Sequence, residues 1–412
     1  MNLIMTLSEE LQWRGFVDQT TYDDIRAIDQ PGKTFYFGVD PSAASMQIGN
    51  LAAAMMVRHF INHGHKAILL VGGATGLIGD PDGKAQERDL KQVEEINANK
   101  QSIAGQYHRI FDGQDFTLVD NYDWFKDIGY LSFLRDIGKH VPMRQMLSRD
   151  FVQSRLGETG AGISYAEFSY ALIQGYDFLH LYREHGATLQ LCGSDQWGNS
   201  LAGVELIRRV DGGKAHVWSA PLVVNRATGK KFGKTEAGAV WLDEALTSPY
   251  AFYQFWLNAD DEGVADYLKI YTLLNKDEID EIMHSFTANK SARLAQARLA
   301  YEVTKLVHGS DKADAVKKVS AVLFGDASFT DLTADEVAML EQELPVVAFQ
   351  VDDLETLVAA GLADSKKQAR TLLSDGGIML NNTKQDLESF SLPSGKSLVK
   401  RGKNRFAIIE RK

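Results

Sequence analysis

The stretch KTFYFGVD (33–40) sets the fold expected of this chain. Its apolar run ends at Asp40-Pro41 and is typical of a buried strand. KAILLVGG (66–73) and ATLQLCG (187–193) have the same character, and residues 49–63 have the apolar spacing of a helix. Strands that alternate with helices predict a doubly wound α/β domain built on a parallel sheet.

Composition narrows the class of protein. The 412 residues suffice for two or three domains, and 44% apolar with 24% charged residues is ordinary for a globular protein. Cys192, the single cysteine, excludes an intramolecular disulfide and favours a reducing compartment. The sequence shows neither a membrane-length apolar run nor a signal peptide, so we expect a cytoplasmic protein without membrane contact. Whether Met1 or Met5 begins the cellular protein stays open.

The pattern changes along the chain. Helical spacing dominates from about 250 to 325, residues 330–348 are acidic with one short helix, and 351–380 predict helix, turn, helix, glycine turn and strand. The last 17 residues hold seven Lys or Arg and one Glu, although the whole chain carries a net charge of −11. A basic end on an acidic body suggests a local anionic partner. We therefore predict a catalytic domain (1–245), a helical domain (246–328), a linker (329–347) and a small module (348–412).

Three aspartates lie at or beyond the ends of the predicted strands, where ligands bind in open α/β sheets. They are Asp40, Asp80 and Asp195. Each alone could be a helix cap, but together they indicate a polar site for hydroxyl or ammonium groups. GGATGLIGDPDGK (72–84) fits neither the P-loop nor the dinucleotide spacing, so its glycines indicate only tight turns near a ligand.

Metal and covalent chemistry find little support in the sequence. His59, His63 and His65 lie close together, but the further ligands of a zinc site are missing at defined spacing. No Cys/His or Ser/His/Asp arrangement indicates a covalent nucleophile. We expect no protein-bound metal and catalysis by positioning and charge.

TGKKFGKTEAG (228–238) combines three lysines with three glycines. Taken alone, it is either a solvated charge run or an arm that grips a strongly anionic group.

Several segments together resemble the bacterial tyrosyl-tRNA synthetases, a family of class I aminoacyl-tRNA synthetases. YFGVDPSAASMQIGNL (36–51) resembles the first class I signature, and KFGKT (231–235) resembles the bacterial tyrosyl form of the second. VGGATGLIGDPDGKAQER (71–88), EFSYALIQGYDFLHLY (167–182) and LQLCGSDQWGN (189–199) are similar to further segments of that family. The resemblance implies a Rossmann-like catalytic domain, a helical domain and an S4-like α+β RNA-binding domain at 348–412.

The resemblance also implies roles for individual residues. The residues expected to bind tyrosine are Tyr36, Asp40, Asp80, Tyr170, Gln174, Asp177 and Gln196. Those expected to act on the phosphates are Ser42, Gln47, Asn50, Lys84, Arg88, Lys231, Lys234 and Thr235. Those expected to bind ATP are Gly49, Gly193, Asp195 and Lys234. Magnesium would arrive with ATP, and no prosthetic group is implied.

One position departs from the family pattern. The first signature normally reads His-x-Gly-His, whereas this chain has Gln47 and Asn50 at the two histidine positions. The Gln47 amide keeps a hydrogen-bond donor but loses the option of a positive charge. We expect Gln47 to retain the role of the histidine with less stabilisation.

The expected reaction joins L-tyrosine to ATP and passes the tyrosyl group to tRNA(Tyr). The expected assembly is a homodimer that meets through an inserted segment near 120–160. Two alternatives remain at this point: a catalytically weakened paralogue that binds RNA for regulation, and a general adenylyltransferase without a tRNA partner. Tyrosine-dependent exchange of pyrophosphate separates the first alternative from the enzyme, and the 348–412 module argues against the second.

Overall fold

The computed structural model describes residues 5–81, 91–147, 150–157, 160, 162–226, 228–229, 232–235, 238–325 and 327–412. Of residues 145, 150, 151, 234 and 235 it describes the backbone alone. The chain forms two compact units. Unit 1 comprises Met1–Ser248 and Trp256–Val307, and unit 2 comprises Pro249–Phe255 and His308–Lys412. The four-part division expected from the sequence is a different scheme, and its boundaries stay a prediction.

The strands are numbered in chain order. They are β1 (Thr34–Val39), β2 (Lys66–Val71), β3 (Phe116–Asp120), β4 (Ala187–Gly193), β5 (His216–Ala220), β6 (Lys234–Thr235), β7 (Gly238–Ala239), β8 (Val346–Ala348), β9 (Ile378–Leu380), β10 (Thr383–Lys384), β11 (Gly395–Arg401) and β12 (Arg405–Arg411).

The α-helices are numbered likewise. They are α1 (Leu7–Arg14), α2 (Ile48–Asn62), α3 (Gly73–Ile78), α4 (Val93–Ile110), α5 (Tyr122–Phe125), α6 (Tyr130–Asp136), α7 (Met143–Leu147), α8 (Asp150–Leu156), α9 (Tyr165–His185), α10 (Trp197–Asp211), α11 (Pro249–Leu257), α12 (Val264–Tyr271), α13 (Lys276–Ala288), α14 (Leu294–His308), α15 (Ser310–Phe324), α16 (Ala334–Glu343), α17 (Asp353–Ala359) and α18 (Lys366–Ser374). Short 3₁₀ turns lie at Ile25–Ile28, Gly138–His140, Ser194–Gln196, Lys290–Ala292 and Phe329–Asp331.

Unit 1 is built on a parallel sheet with the strand order β3-β2-β1-β4-β5 among the described residues. The central strands are apolar because helices cover both faces, and Phe35, Leu69 and Leu189 are fully buried. The α/β class and the three strands expected from sequence are confirmed. Strands β3 and β5 were not expected from the sequence. Both lie at sheet edges, but residues 18–21 bond to the open side of β5, whereas β3 is less covered and its Leu118 is 38% exposed.

The glycine stretch after β2 differs from its sequence expectation. Instead of successive tight turns, Gly73–Ile78 forms helix α3. Asp120 Oδ1 accepts the backbone N–H of Gly73 at 3.0 Å, and Asn121 Oδ1 accepts that of Ala74 at 2.7 Å. These bonds satisfy N–H groups that a helix start leaves open, so residues distant in sequence stabilise a helix with weak local propensity.

Two of the three histidines weighed for a metal site contact helix α1, and the third, His65, lies with its Nε2 2.9 Å from the carbonyl oxygen of Ile28. His59 Nδ1 lies 3.2 Å from Glu10 Oε1, and His63 Nε2 lies 3.6 Å from Glu10 Oε2. Arg14 Nε donates to Glu10 Oε1 at 2.8 Å, and its other nitrogens donate to the carbonyls of Lys269, Thr272 and Leu274. The cluster therefore ties α1 to α2 and to the end of α12.

Glu10 is expected to make the stability of unit 1 depend on acid pH. Burial raises its pKa, but the bond from His59 and the charges of His59 and Arg14 outweigh burial and lower the pKa to about 2. A lowered carboxyl pKa stabilises the fold above about pH 4.5, and this contribution disappears as the pH falls towards 2. At pH 7 we expect Glu10→Gln to reduce the free energy of unfolding by about 1–3 kcal/mol. Urea unfolding of both proteins between pH 2 and pH 7 checks this, and a gap that stayed constant with pH would contradict it.

Unit 2 contains a second sheet with the order β10-β9-β11-β12-β8 among the described residues. Helices α17 and α18, followed by β9, confirm the helix, turn, helix and strand pattern expected for 351–380. The short helix expected near 330–348 is α16, and its Leu340 packs in one cluster with Leu398 and Ile408. Residues before 348 thus share a core with the small C-terminal sheet.

Membrane insertion finds no candidate element: among the described residues, no helix combines the length and apolarity that a bilayer span requires.

Candidate active site

A cavity of about 590 Å³ opens at the carboxyl ends of the strands of unit 1. It collects most of the residues that the sequence analysis singled out. The predicted residues that line it are Tyr36, Asp40, Ser42, Gln47, Gly49, Asn50, Asp80, Tyr170, Gln174, Asp177, Gly193, Asp195 and Gln196. Lys84, Arg88 and Lys231 lie outside the described residues, as do the side chains of Lys234 and Thr235.

Helix periodicity explains one wall of the cavity. Tyr170, Gln174 and Asp177 on α9 follow each other at spacings of four and three residues, so they share a helix face. Tyr36 points from β1 into the same space, and Asp40 follows the end of that strand. The sequence pattern could predict this convergence because parallel strands end at one edge of the sheet.

Asp177 is buried at the base of the cavity and accepts two hydrogen bonds. Asn121 Nδ2 donates to its Oδ2 at 3.0 Å, and Trp124 Nε1 donates to its Oδ1 at 2.9 Å. Burial raises the pKa of Asp177 well above its usual value and the charges of Asp40 and Asp120 add to this, whereas the two donated bonds oppose the shift. Each oxygen keeps a lone pair for a ligand hydroxyl.

Tyr36 carries a buried hydroxyl that lacks a hydrogen-bond partner within the described part of the chain. Burial and the neighbouring charge of Asp177 raise its pKa, so it is a neutral phenol at physiological pH. Buried hydroxyls are normally hydrogen-bonded, and one that lines a cavity next to a carboxylate indicates a place for a ligand hydroxyl. Tyr36 and Asp177 together form a polar end of the cavity that suits a phenol.

Asp40 accepts hydrogen bonds from two neighbouring side chains, those of Tyr170 and Thr75. Tyr170 Oη donates to Asp40 Oδ2 at 2.6 Å, and Thr75 Oγ1 donates to Asp40 Oδ1 at 2.6 Å. The Tyr170 hydroxyl proton is thereby used, so its oxygen faces a ligand as an acceptor, which suits an ammonium group. Gly72 permits this approach, since a Cβ there would meet Asp40 Oδ1 at 2.2 Å.

A second acidic group lies beside the first. Gln196 Nε2 donates to Asp80 Oδ2 at 2.5 Å, and Asn199 Nδ2 donates to Gln196 Oε1 at 3.2 Å. Gln174 Oε1 is buried with no partner among the described residues. Asp80, Tyr170 and Gln174 therefore offer a carboxylate and neutral oxygen acceptors to a cationic group.

The backbone at the start of α2 pairs with the segment that follows the second signature. Gln47 is the N-cap of α2 and pairs with Trp241 in an antiparallel bridge. Ile48 N donates to Val240 O at 3.3 Å, and Asn50 Oδ1 accepts the backbone N–H of Gln47 at 2.9 Å. Asn50 therefore supports the helix start, where N–H groups and the helix dipole favour an anion.

Phe232 anchors the second signature. Its buried ring stacks on Tyr267 at a centroid distance of 4.2 Å and also contacts Trp256 and Tyr271. Gly233 follows with φ of +90°, and a Cβ there would lie 3.3 Å from Cβ of Ile48. The only aromatic residue of TGKKFGKTEAG is thus a core residue, which the sequence did not reveal.

Sequence reasoning missed the residues that support the pocket from behind. Thr75, Asn121 and Trp124 hold Asp40 and Asp177, and Gln190 lines the cavity with a buried Oε1 that has no partner among the described residues. Asn121 and Trp124 belong to the NYDWF stretch that was expected to form the contact surface of a dimer. Asn121 is fully buried and donates to Asp177, so the beginning of that segment supports the pocket, and the expected dimer contact of the segment stays a prediction.

The fold and the site define an α/β protein with a polar cavity at the carboxyl ends of its parallel strands, next to the start of a helix. Comparison with known proteins specifies this further. Residues 30–325 match the family model of the class I tRNA synthetases (W and Y). Residues 336–411 match the tyrosine--tRNA ligase SYY-like C-terminal domain.

Individual relatives agree over nearly the full length. The tyrosine--tRNA ligase of Bacillus caldotenax is 44% identical over 98% of this chain and 99% of the relative, and that of Listeria monocytogenes serotype 4a (strain HCC23) is 42% identical over 99% and 100%. The crystal structure of a C-terminally truncated mitochondrial tyrosyl-tRNA synthetase from Aspergillus nidulans matches with a TM-score of 0.70 at 31% identity, covering 78% of this chain and 95% of that one. The chain therefore belongs to the class I tRNA synthetases of tryptophan and tyrosine, and within them to the tyrosine--tRNA ligases.

Proposed function

We propose that this chain activates L-tyrosine with ATP and transfers the tyrosyl group to tRNA(Tyr). The observation that carries the proposal is the paired polar end of the cavity, where the hydroxyl of Tyr36 and the carboxylate of Asp177 face a ligand. A tyrosine side chain satisfies both groups, because its hydroxyl can donate to Asp177 and accept from Tyr36. Phenylalanine would leave the buried Tyr36 hydroxyl unpaired, at a cost of about 1–3 kcal/mol, and would also forgo the bond that the tyrosine hydroxyl donates to Asp177.

The opposite end of the amino acid meets complementary charge. Asp80 would pair with the α-ammonium group, and Tyr170 and Gln174 would accept hydrogen bonds from it. In this orientation the α-carboxylate of the bound tyrosine would lie towards the start of α2. The attacking carboxylate is already ionised at neutral pH, so the first step needs no general base. A carboxylate oxygen bonds to the α-phosphorus while the bond from phosphorus to the β-bridging oxygen breaks and pyrophosphate leaves.

ATP lies, in this proposal, with its ribose at Gly193 and Asp195 and its phosphates at the start of α2. Ser42, Gln47 and Asn50 are proposed to contact these phosphates. The charge that develops on the phosphates is proposed to be stabilised by Lys84, Arg88, Lys231, Lys234 and Thr235. Asp40 and Asp177 already accept hydrogen bonds on both oxygens. Magnesium is therefore proposed to come with the phosphates rather than to a dedicated protein site.

A tyrosine-dependent exchange of pyrophosphate into ATP tests the first step. We expect exchange with tyrosine, and at least about hundredfold slower exchange at equal concentrations of phenylalanine or tryptophan, because the Tyr36 hydroxyl goes unpaired and the bond to Asp177 is not made. Wild-type protein that forms no tyrosyl-adenylate would instead support the weakened paralogue.

Gln47 is expected to contribute to the activation step. Replacing Gln47 by alanine removes its amide donor at the start of α2 and should slow adenylate formation about tenfold, while tyrosine affinity stays within about twofold. Pre-steady-state kinetics of the first turnover measures both quantities. Gln47→His serves as the matched variant, since it restores the family residue. An adenylation rate unchanged in Gln47→Ala would show that Gln47 takes no part.

The RNA partner is proposed to meet unit 2. Part of the basic end is used internally, since Lys400 Nζ donates to Leu323 O at 2.7 Å and Arg401 Nη1 to Leu362 O at 3.0 Å. Lys367 and Arg370 on α18 and Arg405 are exposed. We propose that these exposed cations contact the tRNA phosphates, and that their removal weakens binding most at low salt.

A homodimer in the cytoplasm completes the proposal. Large apolar side chains are exposed on α6–α9, among them Tyr130 at 61%, Leu131 at 79%, Met143 at 58%, Leu156 at 53% and Tyr165 at 62%. Exposed apolar surface of this extent is typical of an interface.

Analytical ultracentrifugation of the wild type and of Leu131→Asp tests the proposed dimer. We expect a shift towards monomer for the variant. The cytoplasmic location rests on the likeness to bacterial relatives.

A further inference from the structure

Helix α9 carries one more residue on the face that lines the tyrosine pocket. Glu167 precedes Tyr170 by three residues, so Glu167, Tyr170, Gln174 and Asp177 form one stripe. Glu167 is only 3% exposed, although it lies one turn before the cavity and is not among its lining residues. A buried carboxylate in this place needs an explanation, because burying a charge is costly unless it is paired.

Its partner is Arg155 on α8. Arg155 Nη2 lies 2.8 Å from Glu167 Oε2, and the two side chains are 4% and 3% exposed. Arg155 Nε also donates to the carbonyl of Gly162 at 2.5 Å. Within the described part of the chain, Glu167 Oε1 has no hydrogen-bond partner, so Arg155 provides the charge compensation that the structure shows for this carboxylate.

The described residues make two further side-chain contacts at the start of α9, both more exposed than the ion pair: the Ser164 cap and a bond of 3.5 Å from Tyr130 Oη to Tyr165 Oη. Ser164 caps the helix by accepting the backbone N–H of Glu167 at 3.2 Å, and Tyr165 is 62% exposed. The buried ion pair therefore fixes the rotation of the first turns of α9 about the helix axis and their position along that axis. The bond from Tyr170 Oη to Asp40 Oδ2, at 2.6 Å, lies one turn further on and depends on that placement.

From this geometry we infer that Arg155 and Glu167 are positioning residues for the α-amino end of the tyrosine pocket. They act through Tyr170 and Gln174 and touch no substrate themselves. The inference rests on the proposed function, because it assumes that this end of the cavity holds the ammonium group of tyrosine. It assigns a role in substrate binding to residues outside the two class I signatures.

The test compares Arg155→Met, Glu167→Gln and the double variant in pyrophosphate exchange, with tyrosine binding measured by calorimetry. Arg155→Met removes the cation that compensates the Glu167 carboxylate, and Glu167→Gln removes the carboxylate of the pair. For each change we expect the KM for tyrosine to rise about tenfold while the KM for ATP stays within about twofold. Arg183→Met is the matched control. Arg183 lies on the same helix, but its pair with Asp211 is 41% and 25% exposed, so we expect an unchanged KM for tyrosine.

The double variant separates positioning from mere stability. Two neutral side chains remove the uncompensated Glu167 carboxylate, so thermal stability should recover relative to Arg155→Met. We expect the KM for tyrosine to stay raised, since the directional bond is still missing, and Arg155→Lys to recover part of the affinity. If a single variant does not fold, Arg155→Lys and the double variant still decide the question.

Two results would overturn the inference: folded variants with wild-type KM for tyrosine, or equal changes in the KM for tyrosine and for ATP. If the double variant recovered both tyrosine affinity and thermal stability, the pair would have only a structural role, and this result would also overturn the inference. Failure of the proposed function is distinguishable, because wild-type protein would then bind no tyrosine at all.

Discussion

Asp177→Asn is expected to lower kcat/KM for tyrosine by on the order of a hundredfold or more while leaving the low activity with phenylalanine almost unchanged. Asparagine keeps one oxygen as the acceptor for Asn121 Nδ2 or Trp124 Nε1 and has an NH₂ in place of the other oxygen, so the tyrosine hydroxyl meets a donor where the carboxylate would accept its proton. One buried hydrogen bond would be lost and a donor would be left unpaired, each at a cost of about 1–3 kcal/mol. Phenylalanine has no hydroxyl that could bond to Asp177, so its kcat/KM should stay almost unchanged. The preference for tyrosine over phenylalanine should therefore fall.

Pyrophosphate exchange with both amino acids over a range of concentrations measures this ratio. Asp211→Asn is the matched control, because Asp211 is an exposed carboxylate paired with Arg183 and lies outside the cavity. Tyr36→Phe should shift the ratio in the same direction by about tenfold, since it removes a single hydroxyl. A proportional loss with tyrosine and phenylalanine in Asp177→Asn would show that Asp177 supports the fold of the site and does not select the substrate.

The sequence predicted the parts of this pocket that local patterns encode. The ends of the predicted strands led to Asp40, Asp80 and Asp195, and all three line the cavity. Tyr36, Tyr170 and Asp177 were expected from the family resemblance alone, although the last two share one face of α9. The role of each residue came from the family resemblance and remains a proposal.

The supporting residues could not be predicted in this way. Asn121 reaches Ala74, Thr75 and Asp177 only after β3 has paired with β2, and no local pattern announces such long-range contacts. The same contacts turn a glycine-rich stretch into helix α3. Phe232 was likewise assigned to an exposed charged stretch, because its aromatic partners on α12 lie far along the chain.

Removal of residues 308–412, which form most of unit 2, is expected to impair charging of tRNA strongly and to spare tyrosine activation. The residues that line the cavity all belong to unit 1, so a chain ending at Val307 should keep pyrophosphate exchange within severalfold of wild type. Aminoacylation should fall by on the order of a hundredfold or more, because the exposed cations proposed to contact tRNA phosphates are gone. This cut also uncovers Phe252, whose ring packs against His308, so some loss of thermal stability is expected.

A second cut tests where the RNA-binding unit begins. A chain ending at residue 347 follows the domain boundary expected from sequence, but it keeps α15 and α16 and removes Leu398 and Ile408 from their shared core. Val319, Val322 and Leu323 would become exposed, and we expect this longer chain to aggregate more readily than the shorter one. Size-exclusion chromatography and thermal unfolding of both truncations measure the difference. Equal solubility would favour the boundary at 347, and loss of exchange in a folded chain ending at Val307 would show that activation itself depends on unit 2.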